Sequence, residues 1–136
     1  MNLNNDLTKE KLLKKLNYWY ENARFEKVID KVLEIPKEDR DYETTSYLIR
    51  AYNSVNKFQS AIRELNLIKD KGESDPFWHF RLGYAYLNIE NFDDALKEFE
   101  TAHKLDENNE TIKNHFEALK INLFLGKNFL EDEKNT

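Results

Sequence analysis

The chain has 136 residues, 40% apolar and 35% charged, with a net charge of −5, three glycines, two prolines and no cysteine. This length suits one domain with a real core, and the apolar content is too high and too regularly spaced for a disordered chain. The acidic balance argues against a nucleic-acid surface or an anionic membrane surface, both of which want concentrated Lys and Arg, and the lack of cysteine removes disulfides, thiolate nucleophiles and Cys-based zinc sites.

In chain order, Met1 to Asp6 is polar and carries no apolar leader core, and no apolar run approaches the roughly 18–20 residues of a membrane-spanning helix. A cytoplasmic protein is expected. The spacing predicts a first helix from about Thr8 to Asn22 and a second from about Phe25 to Ile35, stopped near Pro36. Residues 36–41, PKEDRD, read as a charged connection. A second pair is predicted over about 42–55 and 58–70. Lys71 to Asp75 is the clearest break: Gly72 suits a helix C-terminus, Asp75 an N-cap and Pro76 a first turn. The third pair covers about 76–88 and 92–104. A final helix is predicted from about Asn109 to Leu125, followed by a turn at Gly126 to Asn128 and a frayed end, EDEKNT. Short connections make successive helices antiparallel neighbours.

The chain repeats itself. Leu82, Tyr86, Phe92, Ala95 and Phe99 lie 34 residues after Leu48, Tyr52, Phe58, Ala61 and Leu65. A weaker copy precedes them at an offset of 33, pairing Trp19 with Tyr52, Phe25 with Phe58, Val28 with Ala61 and Val32 with Leu65. Downstream, Phe116 stands 34 after Leu82, but Glu117 and Lys120 replace Gly and Tyr, as in a degenerate terminal unit. Ala61 and Ala95 are small where helices cross, Gly83 permits close approach, and the aromatic residues fill the space between helices.

This pattern resembles the tetratricopeptide repeat, a helix–turn–helix unit of 34 residues. The third unit fits best: Leu82-Gly83, Tyr86, Ala95, Phe99 and Ala102 hold family positions. Glu107 stands at the Pro position and His79 at the Trp position. The second unit carries Ile49 for Gly, and the first carries Lys15-Leu16 for Leu-Gly. The resemblance implies an all-α fold, an α-solenoid of antiparallel helix pairs. It is read as a single domain over 1–136, with repeats at about 8–41, 42–75 and 76–109 and a capping helix at about 109–125. It also implies a concave face lined by the first helix of each pair, where a peptide or partner protein binds.

Family register and helical periodicity of ~100° per residue place the candidate groove residues. Asn17 and Tyr20 come from the first unit, Arg50 and Asn53 from the second, and Phe77, Phe80, Arg81, Tyr84, Leu87 and Asn88 from the third. Ala118 and Ile121 come from the last helix. The groove is then polar at one end and aromatic at the other, suited to an apolar anchor beside a carboxylate. Phe77, Phe80, Tyr84 and Leu87 equally suit a core closed over by curvature or by Phe129-Leu130, and the sequence leaves both open. Some family members clamp a chaperone's C-terminal carboxylate; Asn17 and Arg81 match two of those positions, but Leu13, Tyr47 and Phe77 occupy three others and cannot serve.

Catalysis finds no support. His79, His103 and His115 form no metal-binding spacing; His79 is expected in the core and the other two on the surface. The three glycines are far apart, and no nucleophile elbow exists. No cofactor or metal is expected. The reading is a non-catalytic scaffold or adaptor. One alternative is self-assembly, as a homodimer, through the apolar last helix with Phe124, Phe129 and Leu130. The other is a ligand sensor or small enzyme built on the aromatic residues.

Overall fold

The computed structural model describes residues 6–134, and the side chains of 7–127. Expectations for the first five residues, and for the side chains of Phe129 and Leu130, lie outside the described residues. Among those described there are eight α-helices, one 3-10 turn and no strand. They form two compact units, Met1–Lys71 and Gly72–Thr136.

The first unit contains α1 (Asp6–Glu21), α2 (Phe25–Leu33), a 3-10 turn (Lys37–Asp39), α3 (Tyr42–Ser54) and α4 (Phe58–Leu67), then the start of the short α5 (Lys69–Gly72). Helix α1 packs on α2 and α3, α2 on α3, and α3 on α4. The apolar spacing explains this. Leu12 and Leu16 share one face of α1, Val28 and Val32 one face of α2, and Ala61 and Leu65 one face of α4; all six are buried. Each fully buried Leu or Val contributes about 1.5–3 kcal/mol.

The second unit contains α6 (Pro76–Asn88), α7 (Phe92–Leu105) and α8 (Glu110–Lys134), with α7 packed on both of the others. Its core is Ala95, Phe99 and Leu119, with Phe80, Tyr86, Leu87, Leu96, Phe116 and Leu123 against it. Gly83 sits under the Phe99 ring: a Cβ there would stand 2.6 Å from Phe99 Cδ1 and 3.3 Å from the Ala95 carbonyl oxygen. The Asp75 carboxylate accepts from the Phe77 N–H at 2.9 Å and starts α6, with Pro76 in its first turn.

The same turn closes all three helix pairs. Ala23, Asn56 and Glu90 adopt left-handed backbone, with φ of 58°, 64° and 65°. The following N–H donates five residues back: Arg24 to the Trp19 carbonyl at 2.7 Å, Lys57 to Tyr52 at 2.8 Å and Asn91 to Tyr86 at 2.9 Å. The left-handed residue itself donates three back, Ala23 to Tyr20, Asn56 to Asn53 and Glu90 to Leu87. This double bond is the Schellman closure, which satisfies carbonyls orphaned at a helix end. The next helix then starts on Phe25, Phe58 and Phe92. The turn thus recurs at offsets of 33 and 34, even in the first repeat, where sequence similarity is weakest.

Two expected breaks differ. No turn forms at Gly126 to Asn128; α8 runs unbroken from Glu110 to Lys134. Gly126 has no left-handed φ and nothing near its missing Cβ. Glycine weakens a helix interior by about 1 kcal/mol but does not end it without a closing motif. The capping helix therefore extends beyond 109–125. Conversely, the helix expected over 58–70 breaks at Ile68, whose N–H bonds the Leu65 carbonyl, and resumes as α5.

Asp41 joins both kinds of end chemistry. Its Oδ1 accepts from the Thr44 N–H at 2.9 Å, capping α3, and its Oδ2 lies 2.8 Å from Lys9 Nζ on α1. Burial pulls its pKa up, but the Lys9 ammonium and the Thr44 N–H outweigh this and hold it below the usual value. Asp41→Ala is expected to cost about 1 kcal/mol in urea unfolding. Because the folded pKa is the lower one, Asp41's contribution is full above the unfolded carboxylate range and fades as pH falls through the folded value. Asp41→Asn, tested across pH 2–6 (about the range in which carboxylates titrate), is expected to remove that part of the acid dependence.

Two backbone variants test the packing. Glu90→Gly relieves the left-handed strain and is expected to stabilise by about 0.5–1 kcal/mol. Gly83→Ala gains helix propensity but collides with a fully buried ring, and is expected to destabilise by about 1–3 kcal/mol. Thermal unfolding reads both, and equal midpoints for Gly83→Ala and wild type contradict the close approach.

Candidate partner-binding surface

The residues expected on the aromatic stripe of α6 divide into two sets. Phe80 and Leu87 turn toward α7 and α8 and join the core of the second unit. The Phe80 ring lies 5.6 Å from Phe99 and 4.9 Å, edge-on, from His115. Helical geometry puts them with Gly83, three and four residues from each, on one face. Phe77, Arg81, Tyr84 and Asn88 recur at intervals of four, three and four residues and form the neighbouring stripe. Phe77 is 45% exposed and carries the Arg81 guanidinium 5.7 Å from its ring centre. The Asn88 Nδ2 donates to the Tyr84 carbonyl at 2.8 Å, which fixes the end of that stripe.

In the first unit, four side chains from α1 and α3 converge. The Arg50 guanidinium carbon lies 4.1 Å from the Tyr20 ring centre and 5.1 Å from that of Tyr47. The two rings are 6.5 Å apart at 67°, and Phe25 meets Tyr20 edge-on at 5.3 Å. The Tyr47 hydroxyl donates to Asn17 Oδ1 at 3.2 Å. Tyr47 is not among the groove residues expected from the sequence. Its signal is the spacing: Asn17 and Tyr20, like Tyr47 and Arg50, are three residues apart, so each pair shares a helix face. Asn53, expected in the groove, is buried at 7% exposure, one helical turn beyond Ile49 on the packed face of α3.

On α8, Ala118 and Ile121 are exposed, beside Phe124 and Leu125 at 63% and 57%. Glu117, Lys120, Ile121 and Phe124 line a shallow hollow. This face is opposite Ile112, Phe116, Leu119 and Leu123, which pack inward.

The histidines differ from their expected surroundings in two cases. His79 is buried; its Nδ1 lies 2.7 Å from Glu98 Oε2 and its Nε2 2.9 Å from the Glu73 carbonyl oxygen. Both ring nitrogens are engaged, and these contacts tie α6 to α7 and to the segment before α6. His103 and His115 are half-buried rather than fully exposed. His103 packs on Phe116 at 5.6 Å, one turn after Phe99, and His115 packs on both Phe80 and Phe99. Both sit on the faces where α7 and α8 meet, which their short sequence neighbourhoods did not reveal. Among the described residues, no group of three or more His, Cys, Asp or Glu side chains is placed to hold a metal. No helix among them is long and apolar enough to cross a membrane.

Comparison with known proteins supplies the fold family. The tetratricopeptide repeat profile matches residues 76–109. Among solved structures, the first TPR domain of the human RPAP3 protein is similar, with a TM-score of 0.74 at 22% identity, over 86% of this chain and 93% of that one. The first TPR of Spaghetti (RPAP3), bound to the HSP90 peptide SRMEEVD, superposes with a TM-score of 0.72 at 23% identity, over 82% of this chain and 90% of that one. No curated protein matches the sequence. The all-α fold of helix pairs is therefore that of TPR domains.

The split of α6 is directly testable. Phe80→Ala is expected to cost about 2–4 kcal/mol, the range of a packed aromatic lost from a core. Phe77→Ala is expected to cost under about 1 kcal/mol, as a half-exposed site. Urea unfolding of the two variants reads the difference, and equal losses contradict the split.

Proposed function

We propose that this chain, which carries a tetratricopeptide repeat at residues 76–109 and has the fold of TPR domains, is a non-catalytic protein-interaction module. It takes a peptide or a segment of a partner protein on the open faces of the first helices of its pairs. The observation that carries this is the division within α6. The packing of the second unit absorbs Phe80 and Leu87 but leaves Phe77 exposed, with Arg81 beside it. An exposed aromatic side chain with a cation over its ring suits an apolar anchor next to an acidic group. One such anchor, fully buried by a partner, contributes about 1.5–3 kcal/mol.

A protein of the same fold holds a peptide, which supports the class of partner. The particular partner differs in this reading. Phe77 and Leu13 stand where a chaperone clamp needs polar donors, and the Tyr47 hydroxyl at a third such position already donates to Asn17. A scaffold or adaptor role in the cytoplasm, with the whole chain acting as a single domain of three repeats and a capping helix, completes the proposal.

A second reading rests on α8. Ile121, Phe124 and Leu125 are each more than half exposed on one side of a helix. Such a face suits a second copy of the chain. Light scattering at high micromolar concentration tests it, and a monomeric mass there removes it.

For the leading reading, the Phe77→Ala/Tyr84→Ala double variant is expected to lose prey that wild type recovers from native lysate, with little change in unfolding midpoint. Recovery of the same prey at the same yield contradicts the proposed surface.

A further inference from the structure

We propose that the seam between α1 and α2 binds a compact phosphate anion, held by Lys11, Lys15, Lys27 and Lys31. The site is separate from the partner-binding reading. Lys15 and Asn17 lie two residues apart on α1, so about 200° apart around it, on opposite sides of the helix.

The lysines stand in like-charged pairs. Lys11 and Lys15 are four residues apart on α1, and Lys27 and Lys31 four apart on α2, so each pair shares a helix face. The two faces meet across the seam, where Lys11, Lys15 and Lys31 line a hollow of about 170 Å³ with Thr8 and Leu12. One turn along α1, the Lys15 and Lys27 ammoniums lie 5.5 Å and 5.9 Å from the centre of the Trp19 ring. Like charges at this helical spacing repel. Elsewhere the chain sets a lysine four residues from a glutamate instead, as in Lys14 with Glu10 and Lys104 with Glu100. Lys31 has Glu34 at 3.6 Å, but among the described residues Lys11, Lys15 and Lys27 make no ion pair. The Trp19 ring orients two of these cations without neutralising them. An anion in the hollow relieves the repulsion within both pairs.

The cations select the kind of anion. All are lysine, whose compact ammonium binds phosphate as a point charge; the planar fork that matches a carboxylate belongs to arginine, and no arginine lines the hollow. A phosphoryl group carries about −1.5 to −2 at neutral pH, so one or two of them balance the lysines. The hollow sets the size, being smaller than the roughly 300 Å³ at which drug-sized pockets begin. Glu10, Glu26 and Asp30 on the same two helices repel an extended polyanion such as nucleic acid, which keeps the ligand compact. The wider field agrees: residues 1–71 carry 14 Lys and Arg against 12 Asp and Glu, whereas residues 72–136 carry 7 against 14.

The test titrates inorganic pyrophosphate into the full, isotopically labelled chain at fixed ionic strength and follows the Trp19 indole Nε1–H resonance. A saturable shift is expected, weaker with orthophosphate and absent with acetate. Lys11→Gln/Lys15→Gln and Lys15→Gln/Lys27→Gln are each expected to weaken pyrophosphate at least about fivefold, the scale of two exposed ion pairs. Lys37→Gln/Lys57→Gln, which removes the same charge elsewhere in the first unit, is expected to leave it within about twofold. Two further probes separate the sources of the phosphate: glycerol phosphate in solution, and phosphatidylcholine vesicles carrying an equal amount of phosphatidic acid. Sedimentation with the vesicles that Lys11→Gln/Lys15→Gln loses assigns the site to a lipid headgroup. Binding of the soluble phosphates without sedimentation assigns it to a free one. Silence with pyrophosphate, an equal response to acetate, or equal losses in the seam variants and in Lys37→Gln/Lys57→Gln overturns the site. Binding of an oligouridine in place of pyrophosphate overturns it as well.

Discussion

A left-handed residue closing each helix pair is the constraint on which the rest of the structure depends. Ala23, Asn56 and Glu90 hold φ near 60°, and none of them is glycine. Left-handed backbone costs a non-glycine residue roughly 1–2 kcal/mol. Here that cost is offset by two backbone hydrogen bonds per turn and by the burial that the turn makes possible. Once the chain reverses there, the second helix lies against the first. Its small residues, Ala61 and Ala95, then sit with no exposed surface at all. In the second unit the approach is close enough that Gly83 has no room for a Cβ, because the Phe99 ring fills the space.

Pairing in this way assigns the faces of each helix. The second helix of a pair is packed by its own first helix and by the helix after it, as α2 is by α1 and α3, and α7 by α6 and α8. The first helices retain a stripe that this packing does not use. On α6 it is Phe77, Arg81, Tyr84 and Asn88. On α1 and α3 it is Asn17, Tyr20, Tyr47 and Arg50, where cation and rings are held together. The proposed partner binding uses the faces that the packing leaves over. The polar bond network around His79 serves cohesion instead: it joins α6, α7 and the preceding segment, and it stiffens the helix that presents Phe77.

Much of this was legible in the sequence, and the gaps have physical causes. The 34-residue spacing located the helix pairs, because the residues repeated at it, such as Tyr52/Tyr86 and Phe58/Phe92, are those that flank the turn. Asp75-Pro76 announced the start of α6 because cap and first-turn chemistry is local. Gly126 misled, since a glycine ends a helix only when the backbone turns left-handed, and that depends on the residues beyond it. Phe80 and Tyr84 looked alike because one helical stripe is broader than one packing face, and only the position of α8 separates them. His103 and His115 looked solvated for the same reason: their neighbours come from another helix. The Arg50 cluster was half visible. Three of its members stand at groove register, but the fourth, Tyr47, reads in the sequence only as a poor substitute for a polar donor.

The central claim is that partners meet the first helices and leave the second helices to packing. Site-specific photo-crosslinking tests it most directly. A photoreactive side chain is placed singly at position 84 on α6, at 47 on α3 and at 97 on α7, and irradiated in native lysate. Crosslinked partner from 84 and 47, with none from 97, is the expected result. Adducts forming chiefly from 97 contradict the claim, because the partner then meets the exposed side of a second helix.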